Sequence, residues 1–322
     1  MQRAYLKNAR SQRLWLRPIF HVSLALFLVV ALISMFSRFR APQVVPVSEP
    51  EYNPIVRKVT MVYGNRTAYY RGLETHENHA RRFGYPMTVL RKPILGGFWS
   101  KPAILLSTII EELEKPDDER VEWLFWFDGD TVLMNPNMPL EVFLPPPQFP
   151  DTHLLIAKDW NGMNNGVFFI RVCQWSAEFL SATLAYPSVH PETGLFWADQ
   201  SAMDKLNNEL EHFTRSIVFT PLRWFNAYMR SPNAIDINPD SPAHLQVHPG
   251  DLLVHFPGTA AESLDTTMGP YLELAESHNP DWELPVEKTS YFKETADFWY
   301  AKHEEMYGKP LEASPTADSD ST

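Results

Sequence analysis

Cysteine is almost absent: Cys173 is the only one in 322 residues. No intrachain disulfide can form, whatever the compartment, and a zinc cluster built on cysteines is excluded. The lone thiol, near an expected helix start, reads as a small buried apolar residue. Basic charge is equally scarce where a fold would lie. The chain carries 28 Lys+Arg against 39 Asp+Glu, and residues 1–50 hold seven of the basic side chains and one acid, Glu49. The acidic remainder excludes general nucleic-acid binding while leaving room for a local basic pocket for phosphates. No internal repeat is visible. What is abundant rules out disorder of the whole: 44% hydrophobic and 13% aromatic residues, ten of them tryptophan, can bury a substantial core. The 28 prolines point to long ordered loops.

The basic leader has a second meaning. An apolar run over residues 19–36, broken only by His21, Ser23 and Ser34, is close to the ~20 residues that span a bilayer core. Arg3, Lys7, Arg10, Arg13 and Arg17 precede it, and Arg38 and Arg40 follow. This bias predicts a cytoplasmic tail over 1–18, a single-pass type II signal anchor over 19–36, and export of the rest. A cleaved signal peptide would want a shorter apolar core and small residues after it. Pro42, Pro46, Pro50 and Pro54 mark an extended stem over 37–56. A folded domain is expected over 57–308 and a disordered tail over 309–322. Asn65-Arg66-Thr67 is the only glycosylation sequon and fits a lumenal domain.

Within that domain strands are expected at 59–63, 86–90, 123–127, 154–157, 167–170 and 252–256, and helices at 69–83, 101–114, 172–184, 199–207 and 290–307. The alternation predicts an α/β sandwich. The wholly apolar run Trp123-Leu-Phe-Trp-Phe127 suits a central parallel strand covered on both faces. Ligands in such sheets sit at the carboxyl ends of strands, and Asp128-Gly129-Asp130 stands at this one. Two carboxylates around a glycine can hold a hard divalent cation shared with a diphosphate. The same residues also read as an Asp-Gly turn. A third reading is the first motif of haloacid-dehalogenase-type phosphatases, although that motif opens its domain and a matching later Gly-Asp-x-x-x-Asp is missing.

Three further blocks stand out. Asn164-Asn165-Gly166 precedes an apolar strand ending at Arg171; it reads as a hairpin turn or as amides for sugar hydroxyls. Asp199-Gln200 opens a helix, either as a cap or facing a substrate. His255 ends an apolar strand and is followed by Phe256-Pro257-Gly258.

In order, Gly64 after a strand, Trp99-Ser-Lys101, Asp128-Gly-Asp130, Asn164-Asn-Gly166-Val-Phe-Phe-Ile-Arg171, Asp199-Gln200 and His255-Phe-Pro-Gly258 resemble glycosyltransferase family 34. That family comprises fungal galactosyl- and mannosyltransferases and plant xyloglucan xylosyltransferases. The resemblance implies a GT-A type, Rossmann-like nucleotide-sugar transferase domain behind the membrane anchor, located in the Golgi. It further implies retention of anomeric configuration and dependence on Mn²⁺ or another divalent cation. Asp128, Asp130 and His255 would hold the metal. Gly64, Lys101, Asp128, Asn164, Asn165 and Gly258 would lie near the donor, and Asp199 and Gln200 near its reacting sugar. The implied partners are a UDP- or GDP-hexose (galactose or mannose), a glycan acceptor, the membrane and a Golgi complex, with no nucleic acid. A non-catalytic subunit of such a complex is the alternative. The chain departs from the resembled pattern at Gly129 and Asn165.

Overall fold

The computed structural model describes residues 54–309. The expected cytoplasmic tail, anchor, most of the stem and the tail beyond 309 lie outside the described residues. Among the described residues no helix is long and apolar enough to cross a membrane.

The chain builds β1 (Val56–Met61), α1 (Thr67–Phe83), β2 (Met87–Leu90), α2 (Ser100–Leu113) and β3 (Trp123–Phe127). A short β4 (Thr131–Leu133) follows, then β5 (Leu154–Asp159), β6 (Gly162–Arg171), α3 (Gln174–Val189), α4 (Ala198–Glu209) and α5 (Glu211–Thr214). The last part comprises β7 (Ile217–Thr220), β8 (Ala227–Tyr228), β9 (Leu253–His255), α6 (Leu264–Glu276) and α7 (Tyr291–Tyr307). The main sheet runs β2-β1-β3-β6-β5-β7, and a small second sheet runs β4-β9-β8.

β3 is the axis of the fold. It pairs parallel with β1 but antiparallel with β6, so the expected all-parallel surroundings hold on one side only. Its five side chains are all buried. Trp123, Phe125 and Phe127 enter a core with Leu73 and Ala80 of α1 and with Tyr291 and Trp299 of α7. Leu124 and Trp126 enter the opposite core with Leu105 and Ile109 of α2, Phe179 of α3 and Leu206 of α4. A strand alternates its side chains between faces, so helices on both faces require an unbroken apolar run. Full burial of each such side chain contributes about 1.5–3 kcal/mol before conformational entropy is charged. α1 forms because Ala68, Gly72, Leu73, His76, His79 and Ala80 recur at helical spacing on its buried face. It stops where Gly84 turns left-handed and donates its N–H to Ala80 O.

The Asn164–Gly166 block is not a hairpin turn. The turn lies at 160–161, followed by Gly162 at φ +103°, and Asn164, Asn165 and Gly166 sit inside β6. There the pairing with β5 jumps from Ile156 opposite Phe168 to Ala157 opposite Asn164. Residues 165–167 are left over on the β5 side as a three-residue bulge. Cys173 immediately precedes α3, half-buried, its Sγ 3.5 Å from Ser176 Oγ.

Candidate metal and donor site

Two backbone pairings at the carboxyl end of β3 assemble the site. Asp128 N donates to Gly166 O at 2.8 Å, prolonging the β3–β6 ladder past the strand. On leaving the main sheet the chain forms β4, which pairs antiparallel with β9 so that Thr131 lies opposite His255. Phe256 N then donates to Asp130 O at 3.0 Å. His255, remote in sequence, is thereby set beside both carboxylates. One ligand atom from each of Asp128, Asp130 and His255 lies within 4.8 Å of the others. His255 Nε2 is 3.5 Å from Asp130 Oδ1. Gly166 makes room for this ring: a Cβ there would fall 2.1 Å from His255 Cε1.

Asp128 is oriented before any ligand arrives. Its Oδ1 accepts from Trp126 Nε1 at 2.8 Å and lies 2.9 Å from Lys101 Nζ. Lys101, on α2, is 3% exposed. Its Nζ also donates to the backbone O and the Oδ1 of Asn165, both at 3.1 Å, and lies 3.7 Å from Asp199 Oδ2. An ammonium has three N–H donors, and protein oxygens engage all of them. Burial alone would lower the Lys101 pKa; Asp128 and Asp199 outweigh it and hold the group above its ordinary value. The bulge of β6 is what turns Asn165 toward this cluster.

Asp199 does not cap its helix. α4 follows Trp197 without a side-chain cap bond, and Asp199 Oδ2 instead accepts Asn165 Nδ2 at 2.8 Å. Its carboxyl is raised above the usual carboxylate range, first by burial, against the pull of Lys101. Gln200 Oε1 accepts from Asn165 N at 3.1 Å, and its Nε2 has no hydrogen-bond partner among the described residues. Asn164 has no capacity left for a sugar hydroxyl. Its Nδ2 donates to Asp159 and Tyr228, and its Oδ1 accepts from Gly166 N and Asn226 Nδ2.

A cavity of about 430 Å³ opens over Asp128, Asp130, His255, Lys101, Gln200 and Gly258. A second, of about 330 Å³, lies between Val62, Tyr63, Tyr69 and Phe98 and shares Asp128 and Asp130 with the first. Gly64 lines neither; it is exposed beyond Tyr63 and its carbonyl accepts the Tyr70 hydroxyl at 2.8 Å. The other candidate metal, donor and catalytic residues all border the larger cavity.

Sequence reasoning missed the rim. Phe98, Trp160, Phe196 and Trp197 all line the larger cavity, and Phe196 (85%) and Trp160 (69%) are the two most exposed large apolar side chains among the described residues. Single aromatics in loops carry no periodic signal. Sequence reasoning also missed Asn226, Tyr228 and Asp159, which only tertiary hydrogen bonds connect to His255.

With the late histidine seated beside the two aspartates, comparison with known proteins becomes informative. The resemblance is to the galactosyl transferase GMA12/MNN10 family, whose model matches residues 147–265. The stretch matched to this family contains the β6 bulge, Asp199-Gln200 and His255–Gly258, while Lys101 and Asp128–Asp130 precede it. Galactomannan galactosyltransferase 1 of Cyamopsis tetragonoloba is 29% identical over 112 residues, 32% of this chain and 23% of that protein. An uncharacterized alpha-1,2-galactosyltransferase of Schizosaccharomyces pombe is 26% identical over 261 residues, 67% of this chain and 63% of that one. The chain therefore spans less than two thirds of either relative. The fold is shared with a crystal structure of a glycosyltransferase involved in glycosylation of the major capsid of PBCV-1. The TM-score is 0.50 at 19% identity, covering 67% of this chain and 99% of that one. That agrees with a GT-A type arrangement.

Proposed function

We propose that this protein is a metal-dependent glycosyltransferase that moves a hexose, galactose before mannose, from a UDP- or GDP-sugar to a glycan hydroxyl with retention of configuration. The observation that carries the reading is the convergence of Asp128, Asp130 and His255 on the floor of a cavity. The donor set fits a divalent cation of the Mn²⁺ type: two carboxylate oxygens and an imidazole nitrogen. His255 Nε2 faces Asp130 Oδ1 at 3.5 Å, so the nitrogen and a carboxylate oxygen point into the same space.

When bound, such a cation neutralises the departing diphosphate. The remaining work belongs to the chain. Lys101, held by Asp128, Asp199 and Asn165, keeps a fixed positive charge behind the metal-binding carboxylate. Gln200 offers a free amide to a sugar hydroxyl, and the amide it accepts from Asn165 fixes its direction. Asp199, buried and bonded to Asn165, acts through Lys101 and Asn165 rather than as an exposed nucleophile; this favours same-face attack over a covalent intermediate. The cavity between Tyr63, Tyr69 and Phe98 suits the nucleoside, since it meets the larger cavity at the two aspartates. The aromatic rim suits an acceptor, because pyranose C–H faces stack on exposed rings. The name of the fission-yeast relative favours galactose. A lumenal Golgi location behind an N-terminal anchor completes the proposal and rests on the sequence of residues 1–40.

The phosphatase alternative has no use for a late histidine, whereas His255 is built into the same corner. Calorimetric titration of UDP and GDP with and without Mn²⁺ tests the site. Wild type should bind in a Mn²⁺-dependent way, and Asp130→Asn or His255→Ala should weaken that binding by more than about tenfold. Binding indifferent to Mn²⁺ and to His255 would overturn it.

A further inference from the structure

Behind His255 runs a line of hydrogen bonds, buried at Asn226 and Asn164 and ending at the half-buried Asp159, that the reaction proposed above does not use. His255 Nδ1 lies 2.7 Å from Asn226 Oδ1. Asn226 Nδ2 donates to Asn164 Oδ1 at 2.9 Å, and Asn164 Nδ2 donates to Asp159 Oδ2 at 3.0 Å. Tyr228, beside the line, accepts from Asn164 Nδ2 at 2.8 Å and donates its hydroxyl to the same Asp159 oxygen at 2.5 Å. Asn226 and Asn164 are buried.

The polarity of this line follows from one group that cannot be turned around. Gly166 N is a backbone donor and lies 3.0 Å from Asn164 Oδ1. That fixes the oxygen end of the Asn164 amide, so its Nδ2 must face Asp159. Asn226 meets Asn164 Oδ1 and must present its own Nδ2 there, which leaves its oxygen against His255. An oxygen at 2.7 Å requires a proton on Nδ1. The neutral imidazole therefore carries its lone pair on Nε2, the nitrogen that faces Asp130.

We propose that Asp159 is the remote carboxylate partner of His255, acting through Asn164 and Asn226 to fix the Nδ1–H tautomer, and that Asn226 and Asp159 are positioning residues for the divalent cation. Its consequence for metal rests on the function proposed above; the tautomer is a property of the metal-free protein. Metal-binding histidines commonly donate their second N–H to a carboxylate or carbonyl, which orients the ring and raises its basicity. Here two amides stand between histidine and carboxylate, every donor points the same way, and each bond polarises the next. Asp159 also holds the hairpin tip, since its Oδ1 accepts Asn161 N at 2.6 Å. Trp160, between them, packs edge-on to Tyr228 at 5.5 Å. One carboxylate thus anchors both the metal-facing histidine and the loop that carries a rim tryptophan.

The test is ¹⁵N NMR of histidine-labelled full-length protein without metal, at a pH where the His255 ring is neutral, with the His255 signals assigned by their loss in His255→Gln, together with Mn²⁺ titration. Wild type should show Nδ1 protonated and Nε2 bare. Asn226→Leu should give a mixture of tautomers and about 10–100-fold weaker Mn²⁺ binding. Asp159→Asn keeps the shape but removes the charge; it serves if Asn226→Leu does not fold, and should weaken Mn²⁺ binding several-fold (~3–10-fold) with the thermal midpoint little changed. A purely structural line would move the midpoint and leave the tautomer alone. Wild-type His255 protonated on Nε2, or wild-type Mn²⁺ affinity in both variants, overturns the proposal. The Nδ1–H tautomer in a wild type that binds no Mn²⁺ overturns the metal reading of the site while the tautomer assignment stands.

Discussion

Two lysines are buried on either side of the Asp128–Thr131 segment, and their surroundings are opposite in kind. Lys101 Nζ is ringed by oxygen, with Asp128 at 2.9 Å and Asp199 at 3.7 Å. Lys58, on β1 and 0% exposed, meets His76 O at 3.0 Å and His79 Nδ1 at 3.2 Å, above the Phe127 ring. No carboxylate stands among these partners. Burial pushes the Lys58 pKa well below its ordinary value, and burial together with Lys58 does the same to His76 and His79. The two clusters touch through Thr131, whose Oγ1 donates to Asp128 O and meets His76 Nε2 at 3.0 Å. Burial lowers the pKa of an amine, and neighbouring carboxylates raise it again. The carboxylate-ringed cluster faces the cavity; the one around Lys58 ties α1 to the sheet beneath it.

The largest effect is expected from Lys101→Met. It leaves Asp128 and Asp199 without their shared cation, and breaking such a buried pair costs about 3–5 kcal/mol. Urea unfolding of the full chain measures this; a cost below about 1 kcal/mol would mean that Lys101 does not hold the two carboxylates. Asp199→Asn should cost less, under about 2 kcal/mol. The amide still offers an oxygen to Asn165, and burial already disfavours the Asp199 charge. The same variant should lower kcat for sugar transfer while leaving nucleotide affinity near wild type; unchanged kcat would remove Asp199 from the site.

Lys58→Met should have the smallest effect near neutral pH, within about 1 kcal/mol, because a lost hydrogen bond is offset by relief from burying an amine that has no carboxylate partner. Its signature is in the pH dependence. Below about 10.4 the unfolded lysine binds a proton that the folded amine resists. Wild-type stability therefore gains a contribution as pH rises toward that value, by at most about 1.4 kcal/mol per pH unit, and loses it as pH falls toward the depressed folded pKa. Lys58→Met should flatten this slope in the pH range immediately below about 10.4. An unchanged slope would mean that burial does not lower the Lys58 pKa and that the contrast with Lys101 is false.

Much of the framework was legible because its signals are local. The apolar run of β3, the acid pair that ends it and the stripe of α1 each follow from short-range periodicity, and the observed elements fall on them. Boundaries drifted: β1 was expected at 59–63 and runs Val56–Met61. Helix α6 went unread, with Gly269 and Pro270 in its middle breaking the pattern, yet Leu264, Met268, Tyr271 and Leu272 bury one face of it. The strands β4, β7 and β8 are two to four residues long and too short to show a period. Asn164-Asn165-Gly166 has the composition of a turn, and what makes it a bulge is pairing with β3 on one edge and a slipped β5 on the other.

The sequence by itself determined the residue types: two aspartates at the end of a buried strand, a histidine at the end of a late one, a lysine at the start of a helix. The tertiary structure decided which of them meet and in what state. Pairing of β4 with β9 sets His255 against Asp130. The bulge of β6 turns Asn165 onto Lys101 and Asp199. The line from Asp159 to His255 selects the bare nitrogen. Hydrogen bonds depend on angle and on a few tenths of an ångström, and the worth of a charge depends on its burial and its neighbours. Chain order specifies none of these quantities; they exist only once strands remote in sequence have paired.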